Sequence, residues 1–192
     1  VTAAAIMRLC CPAAVALFAA CSGASGTDDM QAADAQATGT LALGTVDVAR
    51  YGDQRWVDLT DGQQVTLVPG AQGGFHVWVL YRTQGISGRV QVSRIADRVP
   101  ADGSARQRVL TTTGVLTIPS SDPWQTPDPI PSFMCPTPIG VSVLDAPIEL
   151  SVRISPESDA STTLAQSTVR ILEQCPPVTD STHDFCLKIC QG

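Results

Sequence analysis

An antiparallel β-sandwich is the fold that this sequence predicts for residues 41–178, and three observations carry that prediction. Apolar side chains recur at every second position in several short runs, the spacing of a strand with one face toward a core. Turn-forming residues separate those runs, with 15 glycines and 14 prolines among 192 residues. No amphipathic stretch of helical length lies between them, which removes βαβ units and excludes a parallel sheet.

The clearest strand covers residues 148–154, where Ile148, Leu150, Val152 and Ile154 alternate with Glu149, Ser151 and Arg153. In the run 75–82, Phe75, Val77, Val79 and Tyr81 interleave with His76, Trp78, Leu80 and Arg82. Both faces of that run are largely apolar, so it belongs in the centre of a sheet. Shorter candidates are 56–59, 64–68, 89–93, 109–113, 115–118, 139–144 and 167–172, which makes about seven to nine strands. Turns are expected at Asp61-Gly62, between Gly85 and Gly88, and at Ala101-Asp102-Gly103-Ser104. The architecture this implies is similar to that of immunoglobulin or fibronectin type III domains, with a closed barrel as the alternative.

Residues 1–20 precede this body. A single Arg8 stands before an apolar run over residues 9–20, too short to span a bilayer but of the length of a secretory signal's apolar region. Val1 is read as a non-AUG start, with Met7 as a more compact alternative. The segment Phe18-Ala19-Ala20-Cys21 that ends the run resembles the lipobox of bacterial lipoproteins, with Phe18 where leucine is usual. The resemblance implies a diacylglycerol on the Cys21 sulfur, cleavage before it and acylation of the new amino group. Two or three acyl chains hold a protein stably in a bilayer where one does not. Ser22 in the second mature position resembles the pattern that directs lipoproteins to the outer membrane in preference to the inner one. The lipid bilayer is thus the first expected partner.

Residues 21–40 form the expected tether. Between 22 and 40 there is no aromatic or branched aliphatic side chain, and Asp28, Asp29 and Asp34 add charge. Such a segment cannot offset its ordering entropy by burial, and its length gives a mean reach of roughly 25 Å.

Seven cysteines are present. Cys10 and Cys11 leave with the signal and Cys21 takes the lipid, so Cys135, Cys175, Cys186 and Cys190 remain as disulfide candidates, the last two in a tail over residues 179–192. Three connectivities are open. The preferred one joins Cys135 to Cys175 and Cys186 to Cys190, the second pair requiring a backbone that departs from an ideal helix. His183, Asp184, Cys186 and Cys190 also read as a metal cluster, but no second short-spaced pair accompanies them, so neither a metal nor any other cofactor is expected.

Little else in the chain carries chemistry. The formal charge is −6 and Lys188 is the sole lysine among 12 basic residues, so no nucleic-acid partner is expected. His76 and His183 are the only histidines, and no Gly-x-Ser-x-Gly elbow or phosphate-cradling glycine loop occurs. Met134-Cys135 is followed by no histidine at blue-copper spacing. His76 therefore reads as a sheet residue, and no catalytic residue is expected. Gly73-Gly74 reads as a bulge or a close backbone approach at a kinked entry into the strand that follows. The run from Pro69 through Gly73-Gly74-Phe75-His76-Val77-Trp78-Val79 is similar to a segment in a group of exported bacterial lipoproteins with β-sandwich bodies, a resemblance that implies no activity.

Seven prolines fall between Pro119 and Pro138, a density that predicts a stiff, extended surface loop. Trp124 within it is either a lid folded onto the sandwich edge or an exposed contact for a polysaccharide or partner protein. The function expected is that of a lipid-anchored envelope protein with a non-enzymatic sandwich for partner recognition or a structural role. A polysaccharide-binding module is the alternative, and a hydrolase comes third.

Overall fold

Eleven strands and one helix form among the described residues of the computed structural model, which are 38–46 and 55–192. They build two sheets. The first holds β1 (Thr40–Val46), β2 (Trp56–Asp58), β4 (Val68–Pro69), β5 (Phe75–Gln84), β8 (Trp124–Gln125) and β9 (Ile130–Cys135). The second runs in the order β3 (Gln63–Thr66), β11 (Ala165–Gln174), β10 (Ile148–Pro156), β6 (Gly88–Arg98), β7 (Gln107–Ile118). Helix α1 (His183–Cys190) follows the last strand. The lipobox, Cys21 and most of the tether lie outside the described residues.

As its pattern predicts, β5 is central: it pairs with β1, β4, β8 and β9. Phe75, Val77, Val79 and Tyr81 point inward from it, each no more than 1% exposed. They meet Ile148, Leu150, Val152 and Ile154 of β10, all fully buried, across the sandwich. Full burial of each such side chain is worth about 1.5–3 kcal/mol, so the alternation read from sequence is also the main source of stability. One inward arginine crosses the layer: Arg94 of β6 donates to the carbonyl oxygen of Pro131 on β9 at 2.8 Å.

Polar groups in this core carry a cost. The Tyr81 hydroxyl is buried without a hydrogen-bond partner, and burial pushes its pKa up to about 12. Removing the orphaned hydroxyl leaves the ring packing intact, so Tyr81→Phe should raise stability by roughly 1 kcal/mol in urea denaturation. A loss of that size would mean that the hydroxyl has a partner in solution.

Several expectations change. Residues 109–113 and 115–118 are one strand, since Gly114 has open space around it and lets β7 run on unbroken. Residues 139–144 form turns, and Ile139 is fully exposed. Asp61-Gly62 and Gly85–Gly88 do not close hairpins, because β2 and β3, like β5 and β6, lie in different sheets. Of the three expected turns, the one around Asp102-Gly103 joins paired neighbours, β6 and β7. One pair is parallel, β3 with β11, so the second sheet is mixed. The amide of Arg170 donates to the Asp61 carboxylate at 2.8 Å and its carbonyl accepts from the Gly62 amide at 2.7 Å, which seats β3 at this edge.

The proline-rich run is not all loop. It supplies β9, whose Ser132, Met134 and Cys135 are buried. Pro131 is tolerated because β9 pairs with β5 alone, so its missing N–H faces the open edge. The tail is not irregular either: α1 has Asp184 in its first turn and Lys188 in its last, each matched to the helix dipole.

Candidate functional site

Two constellations stand out on this scaffold, an aromatic surface on the first sheet and a sulfur cluster beneath α1.

The surface is the outward face of β5 and its neighbours. His76 and Trp78 alternate with the core residues of β5 and therefore point away from the core. The register sets Phe133 opposite His76 and Pro131 opposite Trp78, with ring centroids 5.1 Å apart for His76 and Phe133 and 6.1 Å for His76 and Trp78. Toward the other end of β5, the Arg82 guanidinium lies 4.2 Å from the centre of the Trp56 ring. Arg82 also donates to Gln125 at 2.9 Å, and the Trp56 indole N–H donates to Asp58 at 2.6 Å. Phe133 is 39% exposed, and Trp56, Trp78 and His76 are half-buried. The result is a row of ring faces with polar groups beside them.

Two glycines shape this row. A Cβ at Gly44 would lie 2.6 Å from the Trp56 ring, so the indole rests on bare backbone. A Cβ at Gly74 would lie 2.3 Å from the Phe133 ring and 2.6 Å from the Cys135 carbonyl oxygen. The close approach expected of Gly73-Gly74 is therefore made by Gly74, while Gly73 takes the turn at φ +83°. The register of β5 and β9 shifts between Phe75 and His76, the kink expected there. His76 packs against Gly70 as well, and its Nδ1 is buried without a partner. Burial lowers its pKa, which favours a neutral imidazole at physiological pH.

Trp124 sits elsewhere. It pairs with Thr83 on the inward face of β5 and is half-buried against the core. Trp56, Trp78 and Phe133 share the outward face instead, and Phe185 on α1 is 48% exposed. Sequence reading missed this surface because alternation shows which residues share a face without showing which neighbouring strands extend it. The signal that was present is the apolar outward set of 75–82 itself.

The four cysteines converge beneath α1, in a pairing that differs from the preferred one. Cys135 bonds to Cys190 and Cys175 to Cys186. Cys186 and Cys190 do not bridge because they lie one helical turn apart, where Cβ atoms stand about 5–6 Å from each other and a disulfide needs about 3.5–4.5 Å. The helix is thereby tied to both sheets, to the end of β9 through Cys190 and to the segment after β11 through Cys186. His183 stays out of the cluster, its Nδ1 donating to the Pro176 carbonyl oxygen at 2.6 Å, and Asp184 is exposed.

Clefts of about 240 and 310 Å³ also open among the described residues. Thr45, Val57, Gln64 and Trp78 line the first, and Leu144, Pro147, Leu172 and Gln174 line the second. Among the described residues no helix is long and apolar enough to cross a membrane. Fold and site together define the class: an all-β sandwich with a disulfide-clamped terminal helix. Comparison with protein families and with curated proteins finds no match for this chain.

Proposed function

We propose that this chain is a bacterial envelope lipoprotein, anchored through lipid on Cys21, whose sandwich recognises a partner without catalysing a reaction. The observation that carries the recognition reading is the outward row of Trp56, Trp78, His76 and Phe133 on the first sheet. Aromatic side chains with polar neighbours are the usual anchors of recognition surfaces, since their rings offer large area at little entropic cost. The anchor reading rests on the lipobox-like Phe18-Ala19-Ala20-Cys21, and Ser22 favours the outer membrane. The tether would then hold the sandwich clear of the headgroups.

A second reading has its own support. The rings of Trp78 and Phe133, with Arg82, Gln125 and Asp58 on the same face of the sheet, suit stacking on sugar rings with hydrogen bonds to their hydroxyls, so a polysaccharide is the alternative partner.

One experiment separates these readings. Cells labelled with palmitate should incorporate it into the wild-type chain but not into Cys21→Ser, which should leave the membrane fraction. Pull-down from envelope extracts, run beside a glycan array, should lose at least tenfold in captured ligand for Trp78→Ala with Phe133→Ala. An enriched protein supports the first reading and glycan hits support the second. Equal capture by the wild type and the double variant overturns the assignment of the surface.

A further inference from the structure

We infer that β7 is a docking edge for a second copy of this chain, two such strands pairing antiparallel about Thr113 and joining the second sheets of both copies into one of ten strands. The edges of the two sheets differ in how they are protected. An edge strand leaves N–H and C=O groups unpaired, and proteins blunt it by shortness, proline or charge. Among the described residues, the edge strands β2 and β3 have three and four residues, and β9 carries Pro131. Most of β7 has no such device. It is 12 residues long, pairs with β6 alone, and between Leu110 and Ile118 holds neither proline nor charge. Its register with β6 is unbroken over those residues, so no bulge turns the edge aside there.

A second copy fits because this strand is complementary to itself. Leu110, Thr112, Gly114 and Leu116 lie opposite Ala96, Arg94, Val92 and Val90 of β6 and share their inward face. Thr111, Thr113 and Val115 share the outward one. A twofold axis through Thr113 keeps both faces in step and sets Leu110 against Leu116, Thr112 against Gly114, Thr111 against Val115 and Thr113 against itself. Leu110 and Leu116 are half-buried against the core of their own copy and would complete their burial on each other. An axis through Gly114 would instead set Leu110 against Ile118, which is only 1% exposed and has no burial left to gain. Gly114 has open space beside it, so Thr112 of the other copy meets no obstacle there.

Charge agrees with this pairing. The axis brings the Arg108 end of one strand to the Ile118 end of the other. Arg108 is already paired with Asp97, and Arg89, which lies beside that second end, is paired with Glu157 at 2.6 Å. Two neutral pairs therefore approach, and no like charges are opposed. A strand of another protein would meet the same unpaired backbone, but a second copy supplies both members of every side-chain pair.

The test uses the full chain carrying Cys10→Ser, Cys11→Ser and Cys21→Ser in mild detergent, so that neither lipid nor free thiols join the copies, and reads mass by sedimentation velocity. The parent should sediment as a dimer at tens of micromolar. Thr113→Lys and Thr113→Glu, both at an exposed side chain, should each weaken the dimer at least tenfold, because each sets like charges face to face. An equal mixture of the two should recover the dimer, since opposite charges then meet across the axis. A parent that stays monomeric overturns the proposal, and is the result expected if another segment of this chain or a strand of another protein occupies the edge. A Thr113→Lys dimer as tight as the parent's, or a mixture no tighter than its components, overturns it as well.

Discussion

Replacing Cys135 and Cys190 together by alanine should lower stability by about 4 kcal/mol, against about 3 kcal/mol for Cys175 and Cys186 together. The order follows from chain entropy, because the first bridge closes a separation of 55 residues and the second only 11. A chain of this size loses a few degrees of melting temperature for each kcal/mol, so the first double variant should melt roughly 10 °C below the wild type in calorimetry. The local consequence is specific. The Val143 amide donates to the Cys190 carbonyl oxygen at 3.1 Å, so Val143 should lose hydrogen-exchange protection when α1 is released from β9. A larger loss for the short bridge would show that native packing under the helix, and not loop closure, carries the stabilisation.

The second large effect depends on pH. Glu173 lies on the inward face of β11, is fully buried, and has no hydrogen-bond partner at either carboxylate oxygen. Burial raises its pKa well above the ordinary 4.5. The sign follows from proton linkage. Above pH 4.5 the unfolded chain releases this proton while the folded chain retains it, so the folded state is progressively disfavoured as pH rises toward the raised value. The contribution of the protonated group to stability is complete only below the unfolded value.

Glu173→Gln keeps the shape and removes the titration. Its advantage over the wild type should therefore be smallest around pH 4 and grow with pH by up to about 1.4 kcal/mol per unit for as long as the folded carboxyl keeps its proton. Urea denaturation at several pH values reads this directly. A gap that is constant with pH would mean that Glu173 ionises in the folded state as freely as in the unfolded one.

The outward face of the second sheet behaves differently. Arg170 and Arg106 both pair with Glu149, and the hydrogen bond from Arg170 leads in holding that carboxyl below its ordinary pKa. Both arginine side chains are about half exposed, so solvent screens the pairs and each is worth little. The stability of this sandwich resides in its inward alternation and its sulfur clamp.

The amino-acid sequence by itself determined what depends on neighbours along the chain. Alternation in 75–82 and 148–154 placed a central strand and a half-buried one, because a period of two puts every second side chain on one face whatever the strand pairs with. The even number of cysteines past the middle of the chain implied two bridges, and Gly73-Gly74 implied a kink. Tertiary structure alone decided which strands meet, and so overruled the local signals at Asp61-Gly62 and Gly85–Gly88: burying both apolar faces requires the chain to cross between sheets there. It likewise turned part of the proline-rich run into an edge strand, where a missing N–H costs nothing. The cysteine pairing and the aromatic face rested on the same long-range choices. Which sulfur reaches which, and which rings share a surface, depends on elements brought together from distant parts of the chain, and no local spacing encodes that.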